Sequence, residues 1–349
     1  MINFATVGTN FVVDWFIKAT SKCDSLKYRG TYSRNIEKAK EFGEKYGSTL
    51  FFDDLDKLAK CDSIDAVYIA SPTSFHFEQA LKMIENKKHV FVEKPMASNS
   101  REVEILIEKA NENNVVLIEG MRPVYDDGFK AVEKAIEKIA PVRRASFKLC
   151  QYSSRYNKFK NGIVENAFNP KFSNGAIMDI GVYCVHPMVK LFGMPEQIDA
   201  SAIILPDSID GEGTISLKYK DMLADITYSK ISNGFTPSEI QGEKGAILIE
   251  AIDSPRRVIV RYNDGTTEEV YNVELDNNLV FEAKEWETMI NSHDYSDKHS
   301  KYSLMALQIM DKARAIQGIV FPADKKHQQF VGKSVRILQE KNLKRYKKC

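Results

Sequence analysis

The sequence predicts an α/β protein in two parts. A doubly wound parallel sheet is read over residues 1–122, and an α+β region with a large, mainly antiparallel open sheet over residues 123–349. Three observations carry this. Short β-branched runs alternate with segments of helical spacing through the first part. The alternation stops after Arg122-Pro123. From residue 198 to 273, strand-like segments follow one another with turn signals but no helical period between them.

Residues 2–7, 26–32, 66–70, 89–92 and 115–118 form continuous apolar runs, with a weaker one at 49–52. Strands that are apolar throughout belong in a sheet covered on both faces. The segments starting at Phe11 and Trp15, and those at 36–46, 77–85 and 100–113, place apolar residues at helical spacing and complete βαβ units. Beyond Pro123, a helix is expected at 128–139, stopped by Ala140-Pro141, and then a strand at 143–150. Residues 151–174 are polar, contain Gly and Asn, show little period and read as a loop over a site. A helix at 175–192 is closed by Gly193-Met194-Pro195. Polar and apolar residues alternate at 215–219 and 258–262, and Asn263-Asp264-Gly265 is a hairpin turn. Residues 282–290 and 303–316 are helical again, and the terminal helix is placed to pack back on the first part.

Composition narrows the function classes. With 43% apolar and 28% charged residues, the chain is neither disordered nor fibrous. Lys and Arg total 49 against 48 Asp and Glu, so no global field favours nucleic acid or an anionic membrane. No apolar run approaches the ~18 residues that cross a bilayer. Residues 1–8 carry no basic residue of the kind that opens a secretion signal. The scattered cysteines, without a Cys-x-x-Cys pair, suit a reducing cytoplasmic setting. No His pair stands at ligand spacing, so no metal site is read. Lys341, Lys344, Arg345, Lys347 and Lys348 read as a solvated end.

Gly8-Thr9-Asn10-Phe11 follows the first strand directly. Of the three glycines in a dinucleotide fingerprint only Gly8 is present; Asn10 and Val13 stand at the other places. Asn tolerates a left-handed turn, and the helix N-terminus behind it offers N–H groups to a pyrophosphate. The second strand ends Thr31-Tyr32-Ser33-Arg34, without the acid that usually receives the ribose hydroxyls. Ser33 and Arg34 suit a 2′-phosphate instead, which points to NADP with NAD as the alternative. Ser33 equally suits the N-cap of the next helix.

Ser71-Pro72-Thr73 ends the fourth strand, with His76 at the start of a helix, and the fifth strand ends Glu93-Lys94-Pro95. Strand carboxyl ends near the switch point line the ligand crevice, so Lys94 is expected to point into it. These runs, together with Gly175-Ala176-Ile177-Met178-Asp179-Ile180-Gly181-Val182-Tyr183, resemble the signature of the Gfo/Idh/MocA family (glucose–fructose oxidoreductase and inositol dehydrogenase), over nearly the whole chain. The resemblance implies an N-terminal Rossmann domain that binds a nicotinamide dinucleotide, with Glu93 at the nicotinamide ribose. It also implies a C-terminal sheet that carries the substrate pocket and often a dimer interface. Tyr183 stands where inositol dehydrogenase-like members have His. That makes the chain similar to the dihydrodiol dehydrogenase branch and points away from an inositol substrate.

The residue chemistry agrees with hydride transfer to or from a carbinol of a small sugar-like or cyclic diol compound. Asp179, Tyr183 and His186 are spaced by four and three and would share a helix face. Lys94 and Tyr183 are read as contacting the reacting oxygen, Tyr183 as general acid in reduction and base in oxidation, and Asp179 as orienting them. Lys94 should lower the phenol from its usual value and stabilise alkoxide charge. Arg122 is placed to reach cofactor or substrate. Arg155 and Tyr156 in the loop, and His186, are candidates for the substrate pocket. The alternative from another class is a non-catalytic dinucleotide-binding regulator, against which the intact Lys94, Asp179 and Tyr183 argue. Ile215, Leu217, Tyr219, Leu223 and Ile226 suggest an apolar sheet face that pairs copies into a homodimer or a dimer of dimers.

Overall fold

A computed structural model describes residues 1–325, so the basic run from Lys341 and Cys349 lie outside the described residues. The first part builds β1 (Ile2–Val7), α1 (Phe11–Thr20), β2 (Leu26–Tyr32), α2 (Ile36–Glu44), β3 (Leu50–Phe52), α3 (Leu55–Ala59), β4 (Ala66–Ile69), α4 (His76–Glu85), β5 (His89–Glu93), α5 (Ser100–Asn113) and β6 (Leu117–Gly120). The six strands are parallel in the order β3-β2-β1-β4-β5-β6. The order reverses between β1 and β4, and a crevice opens there at the carboxyl ends. Only α3 lacks a counterpart in the sequence reading. Asp54, whose side chain accepts from the Asp56 N–H, caps it.

Aromatic packing holds this sheet. Phe16 of α1 stacks on Tyr68 of β4 with ring centroids 3.8 Å apart. Trp286 meets Phe91 edge-on at 5.5 Å, and all four rings are fully buried. Trp286 comes from α9 (Leu279–Asn291), so the end of the chain returns to cover the first sheet.

The second part contains α6 (Asp127–Ile139), β7 (Val142–Cys150), α7 (Tyr156–Lys160), α8 (Val182–Phe192), β8 (Gln197–Leu205), β9 (Ile209–Lys218), β10 (Leu223–Ser229), β11 (Ser238–Gly242), β12 (Gly245–Glu250), β13 (Arg257–Tyr262), β14 (Thr267–Asn272), α9 and α10 (Ser300–Gln317). Its eight strands run β14-β13-β12-β11-β7-β10-β9-β8. All neighbours are antiparallel except β7 and β10. Helix α10 also reaches the first part, where Asp311 accepts from the Ser100 N–H at 2.7 Å.

The expected subunit face needs correction. Ile215, Leu217 and Ile226 are buried beneath the helices of their own chain. Tyr219 is half-buried and donates to Gly193 O at 3.2 Å. Leu223 alone of the five is exposed, at 52%. Strand alternation sends Thr214, Ser216 and Lys218 outward instead. The helices that supply the cover come from distant segments, which alternation cannot reveal.

The stretch 170–192 meets the length and hydropathy of a membrane span, contrary to the sequence reading, but 67% of its most apolar window is buried inside the protein. It is a core segment. Its start is unusual. Ile177–Gly181 forms a wide π-helical turn before α8. The Asp210 carboxylate accepts from the Ile177 N–H at 2.6 Å. Gly175, at φ +140°, leaves room for that carboxylate, since a Cβ there would lie 2.1 Å from Asp210 Oδ1.

Candidate active site

A cavity of about 710 Å³ lies between the carboxyl ends of the first sheet and the inner end of the second. Asn10, Phe11, Ser71, Pro72, Thr73, His76, Glu93, Lys94, Arg122, Arg155, Asp179 and Tyr183 all line it. Thus most of the residues singled out in the sequence converge, although they span β1 to α8.

At the nucleotide end, Gly8 has φ +116°, and a Cβ would come within 3.0 Å of Ala70 O. The turn therefore requires glycine and brings the β1 loop against the end of β4. Thr9 is half-buried beside it. Asn10 behaves differently from expectation. Its backbone is extended (φ −89°), and its side chain caps α1 by accepting from Val12 N and Val13 N. The amide then donates to Ala70 O at 2.8 Å. Two of the N–H groups that a pyrophosphate would use are thereby occupied. Ser33 and Arg34 lie at the end of β2, outside the cavity wall, with Arg34 exposed and without an ion pair among the described residues. The cap of α2 belongs to Asn35, whose side chain accepts from Glu37 N and Lys38 N, and not to Ser33. The Gly8 cradle and the unpaired guanidinium at the second strand end have the chemistry to hold a dinucleotide.

At the other end, β5 delivers Glu93 and Lys94, and the Lys94–Pro95 bond is cis. His76 faces the carbonyls of Pro95 at 2.9 Å and Ser71 at 2.7 Å, so the ring ties the two loops together and has no nitrogen left for a ligand. Two carbonyl partners favour a doubly protonated ring, but burial outweighs them and lowers the His76 pKa.

The Lys94 ammonium donates to Asp179 Oδ1 at 3.0 Å and to Asp179 O at 2.7 Å. It stands 4.9 Å from the centroid of the Tyr183 ring. Arg122 lies over the same ring at 5.5 Å and pairs with Asp253 at 2.9 Å. The Tyr183 hydroxyl, on a half-buried side chain, takes no hydrogen bond among the described residues and faces the cavity. Burial pushes the Tyr183 phenol above its ordinary value, and Lys94 and Arg122 reverse this only in part. The expected net lowering is therefore corrected: desolvation exceeds the cation effect. Burial opposes the Lys94 charge, yet Tyr183, Asp179 and Glu93 hold the ammonium above its usual range.

Three carboxyls lie beside this group, Glu119 and Glu282 buried and Glu93 half-buried. Glu93 accepts from the Tyr68 hydroxyl at 2.5 Å. Glu119 accepts from Met96 N at 2.7 Å and from Ser303 Oγ at 2.6 Å. Glu282 is 1% exposed, and its Oε2 has no partner. Burial raises all three, Glu119 to about 7.

Two substrate candidates are corrected. His186 is 3% exposed, faces away from the cavity 3.6 Å from Glu119, and is driven down to about 3 by burial. Tyr183 and His186 both lie in regular α8, about 60° apart around its axis, and that offset carries His186 off the cavity face. Tyr156 packs on Phe168 at 5.7 Å rather than on the cavity. Arg155 does line the cavity. The sequence reading missed Lys230, which donates to Asp179 Oδ2 at 2.6 Å, and also Asp253 and Glu282. Lys230 directly follows β10, a strand parallel to β7, and a lysine at a strand end was the available signal.

A dinucleotide-binding sheet with an ammonium, a phenol and a carboxylate at the crevice defines a nicotinamide-dependent oxidoreductase. Comparison with known proteins agrees. Residues 2–121 match the model of the oxidoreductase family with an NAD-binding Rossmann fold, and residues 148–248 match the GFO/IDH/MocA C-terminal domain. The chain is 43% identical to scyllo-inositol 2-dehydrogenase (NADP(+)) IolU of Bacillus subtilis over 326 residues, covering 93% of this chain and 99% of that one. It is 29% identical to trans-1,2-dihydrobenzene-1,2-diol dehydrogenase of Xenopus laevis, covering 90% and 98%. A solved structure of KijD10, a 3-ketoreductase from Actinomadura kijaniata, aligns with TM-score 0.81 at 19% identity, covering 90% and 98%. The chain belongs to the Gfo/Idh/MocA family and is an NAD(P)-dependent oxidoreductase acting on CH–OH groups.

Proposed function

We propose that the chain is an NADP-dependent dehydrogenase of a cyclic polyol or its ketone, with Lys94 and Tyr183 as the proton-transfer pair and Asp179 as the residue that orients them. One observation carries the reading. The Lys94 ammonium is bonded to Asp179 and held 4.9 Å from the Tyr183 ring, in the cavity that begins at the Gly8 cradle. When bound, the nicotinamide ring accepts or supplies the hydride. Tyr183 takes the hydroxyl proton in oxidation and returns it in reduction, while the ammonium stabilises the negative charge that develops on the same oxygen. Glu93 would receive the nicotinamide ribose, and Arg34 with Ser33 the 2′-phosphate. Arg122 and Arg155 supply donors toward substrate hydroxyls.

Tyr183 had pointed away from inositol. The relative at 43% identity is named for scyllo-inositol, so that polyol heads the substrate panel. We also place the division between cofactor and substrate parts at residues 122/123, the protein in the cytoplasm, and two copies face to face through the outward side of the eight-stranded sheet, where Leu223 is exposed and Leu248 and Ile259 are half-exposed.

The test is turnover of scyllo-inositol and a panel of cyclic and sugar polyols with NADP⁺ or NAD⁺, read by nicotinamide absorbance. Tyr183→Phe and Lys94→Ala should each lose ~10²–10⁴-fold in kcat while NADPH binding persists. Normal turnover by either variant sinks the assignment. Tight NADPH binding with no turnover across the panel favours a regulator.

A further inference from the structure

We propose that Lys230 is a positioning residue of the proton-transfer site: it shares the Asp179 carboxylate with Lys94 and so leaves one positive charge uncompensated beside Tyr183. The proposal rests on the assignment of Lys94 and Tyr183 to the reaction.

Lys230 is 2% exposed, a rare place for a lysine. Its ammonium meets Asp179 Oδ2 at 2.6 Å and Ala167 O at 2.8 Å, and lies 4.7 Å from the Phe168 ring centroid. Lys94 takes the other oxygen of the same carboxylate, Oδ1, at 3.0 Å. Each oxygen thus has its own ammonium. That fixes the carboxylate plane and holds Lys94 beneath Tyr183. The contact to Ala167 O also ties the 151–174 loop to the same point, next to Asn166 at the cavity wall.

The charge count explains why one lysine would be insufficient. A lone Lys94–Asp179 pair is neutral and leaves little field for an alkoxide. The groups that face Tyr183 are Lys94 and Glu93 from the end of β5, Arg122 after β6, Asp253 after β12 and Tyr68 of β4, with Asp179 from its own π turn and Glu282 from α9 on the same cavity wall; Lys230 after β10 acts through Asp179 and also feels Asp210 of β9. Arg122 is matched by Asp253. Lys94 and Lys230 share the single Asp179 carboxylate, so this trio carries one surplus positive charge even though burial lowers the Lys230 pKa, and removing Lys230 removes that charge. Such a fixed charge favours the phenolate and the developing alkoxide.

The experiment is the pH profile of kcat/KM for scyllo-inositol oxidation by NADP⁺. Activity should rise with pH through the Tyr183 ionisation. Lys230→Met should move that limb upward by about one pH unit. Lys230→Arg should hold it near the wild-type position, and NADPH affinity should be unchanged in both. Asp179→Asn should move the limb downward, and Asp179→Asn/Lys230→Met, which restores the wild-type charge, should return it. If Lys230→Met does not fold, the limb of the double variant is compared with that of Asp179→Asn, and it should stand about one unit higher. An unmoved limb, or a rate loss that merely parallels lost NADPH binding, overturns the proposal while leaving the proton-transfer pair intact. Absence of polyol turnover by the wild type overturns the reaction assignment itself, and this one with it.

Discussion

Four carboxyls stand at or just behind one cavity, and their surroundings shift Asp179 one way and Glu93, Glu119 and Glu282 the other. Asp179 has a cation on each oxygen, and these hold its carboxyl well below the usual range despite burial. Glu93, Glu119 and Glu282 have hydroxyl or backbone donors, or none, and burial raises all three. The residue types are nearly the same, so the neighbours decide. An ammonium within 3 Å outweighs desolvation, whereas a neutral donor does not. Two ammonium groups favour the charged form of Asp179, whereas burial shifts the other three toward their protonated forms.

The comparison can be broken most sharply at its charged member. Asp179→Ala removes the anion shared by the Lys94 and Lys230 ammoniums and should lower kcat by at least ~10²-fold with NADPH binding retained. Glu282→Gln, which replaces one neutral group by another, should change kcat less than ~10-fold in the same assay. Equal losses in the two variants would abolish the distinction.

The uncharged member can be tested through stability. Glu119 has its folded value raised to about 7, above the ordinary carboxyl value. Between about pH 4.5 and 7 the folded state holds a proton that the unfolded chain has released, so stability falls as pH rises through that window. Glu119→Gln can still accept from Met96 N and donate to Ser303 Oγ. It should gain on the order of 2–3 kcal/mol relative to the parent at pH 8 and nothing at pH 4. Urea unfolding of both proteins at the two pH values reads this difference directly. A constant offset would mean that Glu119 does not titrate in the window.

The smallest effect is expected at the far end of the cavity, where Arg34 is a cation with no partner among the described residues. If it awaits a 2′-phosphate, Arg34→Gln should weaken NADPH about 10-fold and leave NADH unchanged. Fluorescence titration with the two nucleotides separates these outcomes, and equal weakening would remove the basis for NADP preference.

Much of this was legible in the chain. The β1, β4, β5 and β6 runs are largely apolar and read directly as strands of a parallel sheet, whereas β2 carries Lys27 and Arg29, and the strand-end positions of Lys94 and Ser71 marked the crevice. Asp179 and Tyr183 were marked by the family-like run 175–183, and their spacing of four agreed with it. His186, three residues on in the same regular helix, was misplaced because a step of three turns the side chain by about 60° around the axis, which carries it off the cavity to Glu119. Asn10 kept its place in the loop but acts as a cap, which requires Ala70 O from another strand. Lys230 was missed because its partners, Ala167 and Asp179, are 63 and 51 residues distant.

Local pattern determined the strands and most of the helices, since periodicity and turn chemistry are short-range properties, and motif resemblance supplied Lys94, Asp179 and Tyr183 as candidates. Which face of the second sheet is covered, which carboxyls keep their charge, and which lysine backs Asp179 were decided only by the folded chain. Burial and ion pairing depend on groups brought together across the whole sequence, and desolvation has no meaning until the surrounding atoms have displaced the water.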